Sequence, residues 1–149
     1  MNMKYTPIPQ EVAEQARRTL RDEFGHQLRV ERNQGPCRIC LGSSKEPEDL
    51  ILLSYQPLAD TNPYAEIGPI FIHPHTCARY DSREFPADFL DRELVVRAYD
   101  ADGRIADAAV AAPGEAEAVS AAFLTNRDVA EVHVRSRSYT CFLFKVERP

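Results

Sequence analysis

The sequence predicts an α+β fold: a single domain with a mostly antiparallel or mixed sheet of about eight short strands and two main helices. The chain has 149 residues, which is the length of one domain with one core. Hydrophobic residues make up 44% and charged residues 28% of the chain, as in ordinary globular proteins. Apolar runs of strand length are joined mostly by short turns rather than by a repeating strand-helix unit. We therefore expect one domain over 1–149, with a sheet-rich body over 27–149.

One helix is predicted near the amino terminus. Apolar residues recur every four positions from Val12 to Phe24, and Gly25 follows as a terminating residue, which predicts an amphipathic helix over 10–24. Its charged residues lie on the other side of the helix, where we expect an ordinary solvated face. They are Glu14, Arg17, Arg18, Arg21 and Asp22.

Three strands are predicted in the first half of the chain. Alternating polar and apolar residues indicate a strand over 27–32. The apolar run 50–55 has strand length and predicts a central strand that is covered on both sides. A long loop over 56–68 then leads into a strand over 69–73, and ordered loops of this length are often functional.

The second half of the chain is predicted to consist mainly of hairpins. In order, it contains a helical turn at 87–90, strands at 94–99 and 105–110, a helix at 115–124, and strands at 129–135 and 139–146. Asp102-Gly103 is a strong signal for the first hairpin turn. Asp100-Ala101-Asp102-Gly103 superficially resembles a calcium loop, but the ligands expected after the glycine are missing, so a turn is favoured.

Charge and hydropathy exclude several classes of partner. The formal net charge is -5 and no run is rich in Lys or Arg, which argues against a nucleic-acid surface. No apolar run is long enough to span a bilayer, and residues 1–10 lack the pattern of a secretory signal. We therefore expect a cytoplasmic protein with no membrane partner, whose four cysteines are reduced.

Two groups of cysteines and histidines predict a metal site. Cys37 and Cys40 have the two-residue spacing that lets both thiolates of a tight turn bind one ion, and His73, His75 and Cys77 supply three more donors within five positions. Sulfur and imidazole ligands favour zinc or iron over magnesium or calcium. The metal hypothesis therefore includes all five residues, with zinc as the candidate cofactor.

The segment around the first cysteine pair has a second interpretation. Cys37, Ile39 and Leu41 alternate with other residues as in a short strand. In a strand, Cys37 and Cys40 point to opposite sides and cannot share an ion. A redox-active pair is a weaker alternative, because no convincing helix begins after Cys40.

The last hairpin predicts a polar face beside an apolar one. With a three-residue loop at 136–138, Val132 lies opposite Phe142 and His133 opposite Cys141, so that the apolar residues share one face. The face of His133 also carries Glu131, Arg135 and Tyr139. Such a face could line a pocket, whereas the plain structural interpretation is a half-buried cysteine beside a surface histidine.

The same register raises the hypothesis of nucleophilic catalysis. His133 would lower the pKa of the Cys141 thiol, and a third group would have to orient the imidazole. Glu131 could do so only by reaching around the strand face. The sequence does not decide whether the protein is an enzyme.

Several segments together resemble a bacterial family, domain-of-unknown-function family 1203. They are Pro36-Cys37-Arg38 with Cys40-Leu41, Pro63-Tyr64-Ala65-Glu66-Ile67-Gly68-Pro69-Ile70-Phe71-Ile72-His73, Arg97-Ala98-Tyr99-Asp100, and Cys141-Phe142. The resemblance runs from about residue 27 to the carboxyl terminus, and the stretch 63–73 is its most specific part. Thr140 stands where the pattern has a glycine. Because this family has no assigned activity, the resemblance does not identify an activity or catalytic residues for this chain.

A ligand pocket is the first function hypothesis. Its candidate residues flank the long loop or lie on the last hairpin, and they are Tyr64, Glu66, His73, His133, Arg135 and Cys141. If the two regions are neighbours, these groups could bind a small anionic metabolite with Arg135 as the charge partner.

A non-catalytic interaction module is the second hypothesis. A small domain rich in strands has sheet edges that must be covered or paired, and pairing two copies would give a homodimer. Aromatic residues such as Tyr139 and Phe144 could contribute to the interface.

Overall fold

The computed structural model describes residues 2–59 and 61–149, which form two antiparallel sheets and two helices. The elements are β1 (Lys4–Thr6), α1 (Gln10–Thr19), β2 (Val30–Asn33), β3 (Glu48–Tyr55), β4 (Gly68–Ile72), a 3-10 turn (Ala87–Phe89), β5 (Leu94–Asp100), β6 (Ile105–Ala111), α2 (Ala116–Thr125), β7 (Val129–Ser136) and β8 (Phe142–Glu147). The larger sheet has the order β1-β8-β7-β5-β6 and the smaller sheet β2-β3-β4. The predicted α+β class is confirmed.

The larger sheet has two different faces. On one face, Val132, Val134 and Phe144 pack in a buried cluster with Leu124 of α2. On the other face, the His133 ring contacts Phe142, which belongs to the core of the smaller sheet. The period-two alternation of β7 therefore places its polar residues between the two sheets.

The smaller sheet packs against α1. Ile51, Leu53 and Ile72 form a second buried cluster with Ala13 and Ala16 of α1. β3 is the central strand of this sheet, as predicted. The prediction that it is covered on both sides is wrong, because Leu52, which points the other way, is 43% exposed. A run of apolar residues did not distinguish a strand covered on one face from one covered on two.

α1 ends earlier than predicted, and Asp22 lies in the turn that follows it. The helix stops at Thr19, and Leu20 adopts a left-handed conformation with φ 51°. The Asp22 carboxylate is buried and accepts hydrogen bonds from the backbone N–H groups of Phe24 and His26 at 3.0 Å. Asp22 was predicted on a solvated face, and the structure corrects this: the residue organises the turn that follows the helix.

The register of the last hairpin differs from the prediction. Val132 pairs with Val146, and His133 pairs with Lys145 rather than with Cys141. An irregularity in the pairing next to Arg135 and a loop longer than three residues explain the difference. The partner of Val132 is four positions later in β8 than predicted. Because four is an even number, the valines of β7 stay on the predicted face of the sheet.

Two further findings complete the fold. β1 was not predicted; it has only three residues and lies at the edge of the larger sheet, paired with β8.

Among the described residues, no helix has the length and apolar character needed to cross a membrane.

Candidate functional site

Four soft donor side chains converge at one point beside the smaller sheet. They are Cys37, Cys40, His73 and Cys77, and their donor atoms all lie within 4.8 Å of one another. The first two come from the turn after β2, and the other two from the segment that leaves β4. The structure thus brings together four of the five predicted metal donors.

Two separations between these donors match those of a tetrahedral zinc site. The Sγ atoms of Cys37 and Cys77 are 3.8 Å apart, and Cys40 Sγ lies 3.6 Å from His73 Nδ1. With Zn–S bonds of about 2.3 Å and Zn–N bonds of about 2.05 Å, tetrahedral angles give separations of about 3.8 Å between sulfurs and about 3.6 Å between sulfur and nitrogen. Two of the six donor separations thus have the values of a tetrahedral zinc site, and the others lie within 4.8 Å.

A tight turn places both thiols of the first pair on the same side. The Leu41 N–H donates to the Cys37 carbonyl at 2.9 Å, and Leu41 has a left-handed φ of 58°. The Ile39 N–H points to Cys37 Sγ at 3.5 Å. The alternative of a short strand over this segment is therefore wrong, because local hydrogen bonds close the turn.

His73 is held in the orientation that a ligand needs. Its Nε2 lies 2.8 Å from Glu48 Oε1, so that Nε2 carries the proton and Nδ1 faces the thiols. The backbone N–H of His73 also donates to Cys37 Sγ at 3.3 Å. Glu48 was not predicted. Antiparallel pairing of β3 with β4 brings the start of β3 near His73, and residue spacing alone gave no signal for this contact.

Arg17 is the second residue that the sequence analysis missed. Its Nε donates to the His73 carbonyl at 2.9 Å, and its Nη2 lies 3.6 Å from Cys77 Sγ. The prediction of a solvated face is wrong for this residue. Three thiolates with one divalent ion carry a net charge of -1, so the Arg17 guanidinium offsets the charge of an occupied site.

The three thiols of the cluster do not have the same acidity. The hydrogen bond from Cys40 lowers the pKa of the Cys37 thiol, against the effect of burial, and backbone N–H donors add to this. The same hydrogen bond and burial raise the pKa of Cys40, and burial and the nearby Cys37 charge raise that of Cys77. Cys37 is thus the thiol most readily ionised, and a metal ion would displace protons from the other two.

His75 lies outside the group of four donors. It is exposed, and its ring stacks on that of His73 with centroids 5.0 Å apart. The prediction placed His75 among the metal donors, whereas the structure places it outside the group, with its ring stacked on His73.

The second predicted group lies partly around a cavity between the two sheets. Glu66, Arg135 and Cys141 line this cavity of about 160 Å³. Glu66 accepts a hydrogen bond from Arg97 Nη1 at 2.9 Å with one oxygen, and its other oxygen lies 3.4 Å from Arg135 Nη1. Arg97 was not among the predicted pocket residues; it lies on β5, close to Arg135 on the paired strand β7.

The other three residues of the predicted pocket lie elsewhere. Tyr64 packs against Arg104, whose guanidinium carbon lies 5.4 Å from the centre of the Tyr64 ring. His73 belongs to the cysteine cluster. His133 is fully buried, so it is not a surface histidine, and its Nε2 lies 2.7 Å from Glu131 Oε1.

The environment of His133 does not support the hypothesis of a catalytic pair. Burial lowers the pKa of His133, against the opposing effect of its bond to Glu131, so the ring is neutral near pH 7. The strand register places Lys145, not Cys141, opposite it. The geometric basis for the pair, which depended on the predicted register, is therefore lost.

Arg38 connects the cysteine cluster with the region of the cavity. The side chain is buried, and Nε donates to the Phe142 carbonyl at 2.7 Å while Nη1 donates to the Pro36 carbonyl at 2.6 Å. Arg38 and Cys141 also line a larger open groove of about 990 Å³ beside the cavity. The cysteine turn is thus attached to the start of β8.

A family model described as protein of unknown function (DUF1203) matches residues 34–148. The chain belongs to the DUF1203 family. The match includes all four donors of the cysteine cluster and the residues of the cavity, and it confirms the resemblance seen in the sequence. Comparison with curated proteins and with solved structures found no match. The DUF1203 family has no assigned function, so the function has to be inferred from the site itself.

Proposed function

We propose that this DUF1203 protein binds one zinc ion in a closed tetrahedral site formed by Cys37, Cys40, His73 and Cys77. The observation that carries the proposal is the agreement of the donor separations, 3.8 Å and 3.6 Å, with those of a tetrahedral zinc centre. Three cysteines and one histidine are a common ligand set of structural zinc sites, and sulfur with imidazole suits zinc better than harder cations.

The surroundings of the cluster support a structural role for the ion. The protein supplies all four ligands, which leaves no open position for a substrate. The ion would join the turn after β2 to the segment after β4, and Arg17 would connect both to α1. Ligand binding of this kind contributes directly to the free energy of folding.

The test is metal analysis of the untagged protein by plasma mass spectrometry. We expect about one zinc per chain in the wild type, and loss of zinc in Cys40→Ser and in Cys77→Ser. Cys141→Ser and His75→Ala are matched controls that remove a thiol and an imidazole outside the group of four, and both should retain the metal. Absence of metal from the wild type, or full zinc in both cysteine variants, would contradict the proposal. About one iron per chain would contradict the assignment of zinc as the bound metal.

A homodimeric interaction module is a second proposal, supported by the exposed edge of the larger sheet. β6 is an edge strand, and its Val110 and Ile105 side chains are 55% and 37% exposed. Pairing β6 with its copy would continue the sheet. Light scattering after gel filtration tests this: a dimer that Val110→Lys dissociates supports it, and a monomer at millimolar concentration contradicts it.

A further inference from the structure

Arg135 is a buried arginine that lines the cavity between the sheets. Its side chain is only 7% exposed. Nη1 donates to the Thr140 carbonyl at 2.9 Å and lies 3.4 Å from Glu66 Oε2, but the buried Nε has no acceptor among the described residues. An arginine pairs with a carboxylate through two parallel N–H bonds, and among the described residues Arg135 has no such two-point partner.

Among the described residues, the ion-paired group of Arg97, Arg135 and Glu66 has one positive charge in excess. Arg97 and Arg135 share the single carboxylate of Glu66. The next carboxylate, Glu131, is already bonded to His133 at 2.7 Å and lies 3.5 Å from Lys145 Nζ. Because a buried charge without a partner is costly, the excess charge favours an anion with one negative charge.

The walls of the cavity limit the size of that anion. The cavity of about 160 Å³ is lined by apolar surfaces of Tyr55, Pro57, Ile70 and Phe142 in addition to its polar residues. A protein cavity of about 150 Å³ is large enough for a benzene molecule. The cavity therefore fits a carboxylate group with a short apolar body.

The backbone next to Arg135 is held in an unusual conformation. Thr140 has a left-handed φ of 58°, which is rare for a β-branched residue. This conformation directs the Thr140 carbonyl to Arg135, and Thr140 itself lies between two residues that line the cavity, Tyr139 and Cys141. Strain of this kind is often found at binding sites.

We propose that this cavity is a binding site for a small monocarboxylate, whose carboxylate pairs with the Arg135 guanidinium while its apolar part packs on Tyr55 and Phe142. The site is separate from the cysteine cluster, with which it shares no residue. The single excess charge and the presence of Glu66 disfavour dianions such as phosphate.

The experiment compares propionate with its neutral isostere propionamide at constant ionic strength, by titration calorimetry and by the shift in melting temperature. We expect saturable binding of propionate and none of propionamide. Arg135→Gln and Arg135→Lys should each weaken propionate binding at least tenfold, because Lys retains the charge but not the planar geometry. Arg137→Gln, which changes an exposed arginine that does not line the cavity, is the matched control and should bind like the wild type.

Glu66→Gln gives a second test that does not depend on the folding of the arginine variants. It raises the excess charge of the cluster from one to two, so propionate should bind more tightly. Equal binding of propionate and propionamide, wild-type affinity in Arg135→Lys, or weaker binding in Glu66→Gln would overturn the proposal. Tighter binding of inorganic phosphate than of propionate would overturn the monocarboxylate class. Zinc content is measured in the same variants. Weaker propionate binding in a variant that keeps its zinc is an effect on the cavity and not on the proposed metal site.

Discussion

Arg38 Nε donates a 2.7 Å hydrogen bond to the backbone carbonyl of Phe142, which lies 104 positions later in the chain. Arg38 is inside the turn between Cys37 and Cys40, and Phe142 is the first residue of β8. One side chain therefore joins the cysteine cluster to the strand that borders the cavity. Order in the turn is expected to affect the order of the hairpin.

Arg38→Met should destabilise the protein strongly. The substitution keeps much of the apolar volume but removes the donors to the carbonyls of Phe142 and Pro36. Loss of two hydrogen bonds from a buried charged group is expected to lower the free energy of unfolding by about 2–5 kcal/mol. Urea denaturation measures this. Arg18→Met, at an exposed position of α1, is the control, and an equal small effect of both changes would refute the role of Arg38.

Removal of metal should reduce stability in the wild type but not in a ligand variant. A strong chelator is expected to lower the melting temperature of the wild type, because an ion that binds only the folded state stabilises it by mass action. The melting temperature of Cys40→Ser should start lower and not respond to the chelator. Differential scanning fluorimetry with and without chelator measures both. A wild type that does not respond would argue against a structural ion.

Glu48→Gln should weaken zinc binding without removing a ligand. Glu48 accepts from His73 Nε2 at 2.8 Å, and such partners of ligand histidines typically contribute about 10- to 100-fold in metal affinity. Competition with a chromophoric chelator measures the affinity. Glu46→Gln changes an exposed carboxylate nearby and is the control. If the two variants bind zinc equally, Glu48 does not position His73.

Asp22 should make stability depend on pH. Burial alone would raise its pKa, but hydrogen bonds from Ser54, His26 and Phe24 outweigh this and lower the pKa from 3.8. A carboxyl group with a lowered pKa in the folded state contributes stability above about pH 3.8, which is lost as the pH falls through the folded pKa.

Asp22→Asn is therefore expected to cost about 1–3 kcal/mol at pH 7 and progressively less below pH 3.8. Urea denaturation across this range measures the difference. The exposed Asp81→Asn is the control. A cost for Asp22→Asn that stays constant down to pH 2 would contradict the assignment.

The sequence predicted the parts of the metal cluster that depend on local spacing. Cys37 and Cys40 are two residues apart in a turn, and His73 and Cys77 leave one strand, so short-range geometry brings each pair together. Arg17 and Glu48 were missed because their contacts with Cys77 and His73 span 60 and 25 positions. Such contacts depend on how α1 and β3 pack, which residue spacing does not contain.

The cavity was predicted in part for a similar reason. The proposed proximity of Glu66 and Arg135 agrees with the structure, because β4 lies near β8. The predicted partnership of His133 with Cys141 does not, because it depended on the length of one loop. A left-handed Thr140 and an irregular pairing next to Arg135 changed that length. The glycine of the family pattern at position 140 was a signal for the first, and the second has no clear sequence signal.

Zinc K-edge X-ray absorption of the purified protein tests the central claim most directly, since it reports the ligands of the ion as well as its presence. The proposed site predicts three sulfur neighbours at about 2.3 Å and one nitrogen neighbour at about 2.0–2.1 Å. In Cys77→Ser, one sulfur neighbour should be lost. A zinc signal with only oxygen and nitrogen neighbours, or protein prepared with zinc that retains none, would contradict the claim.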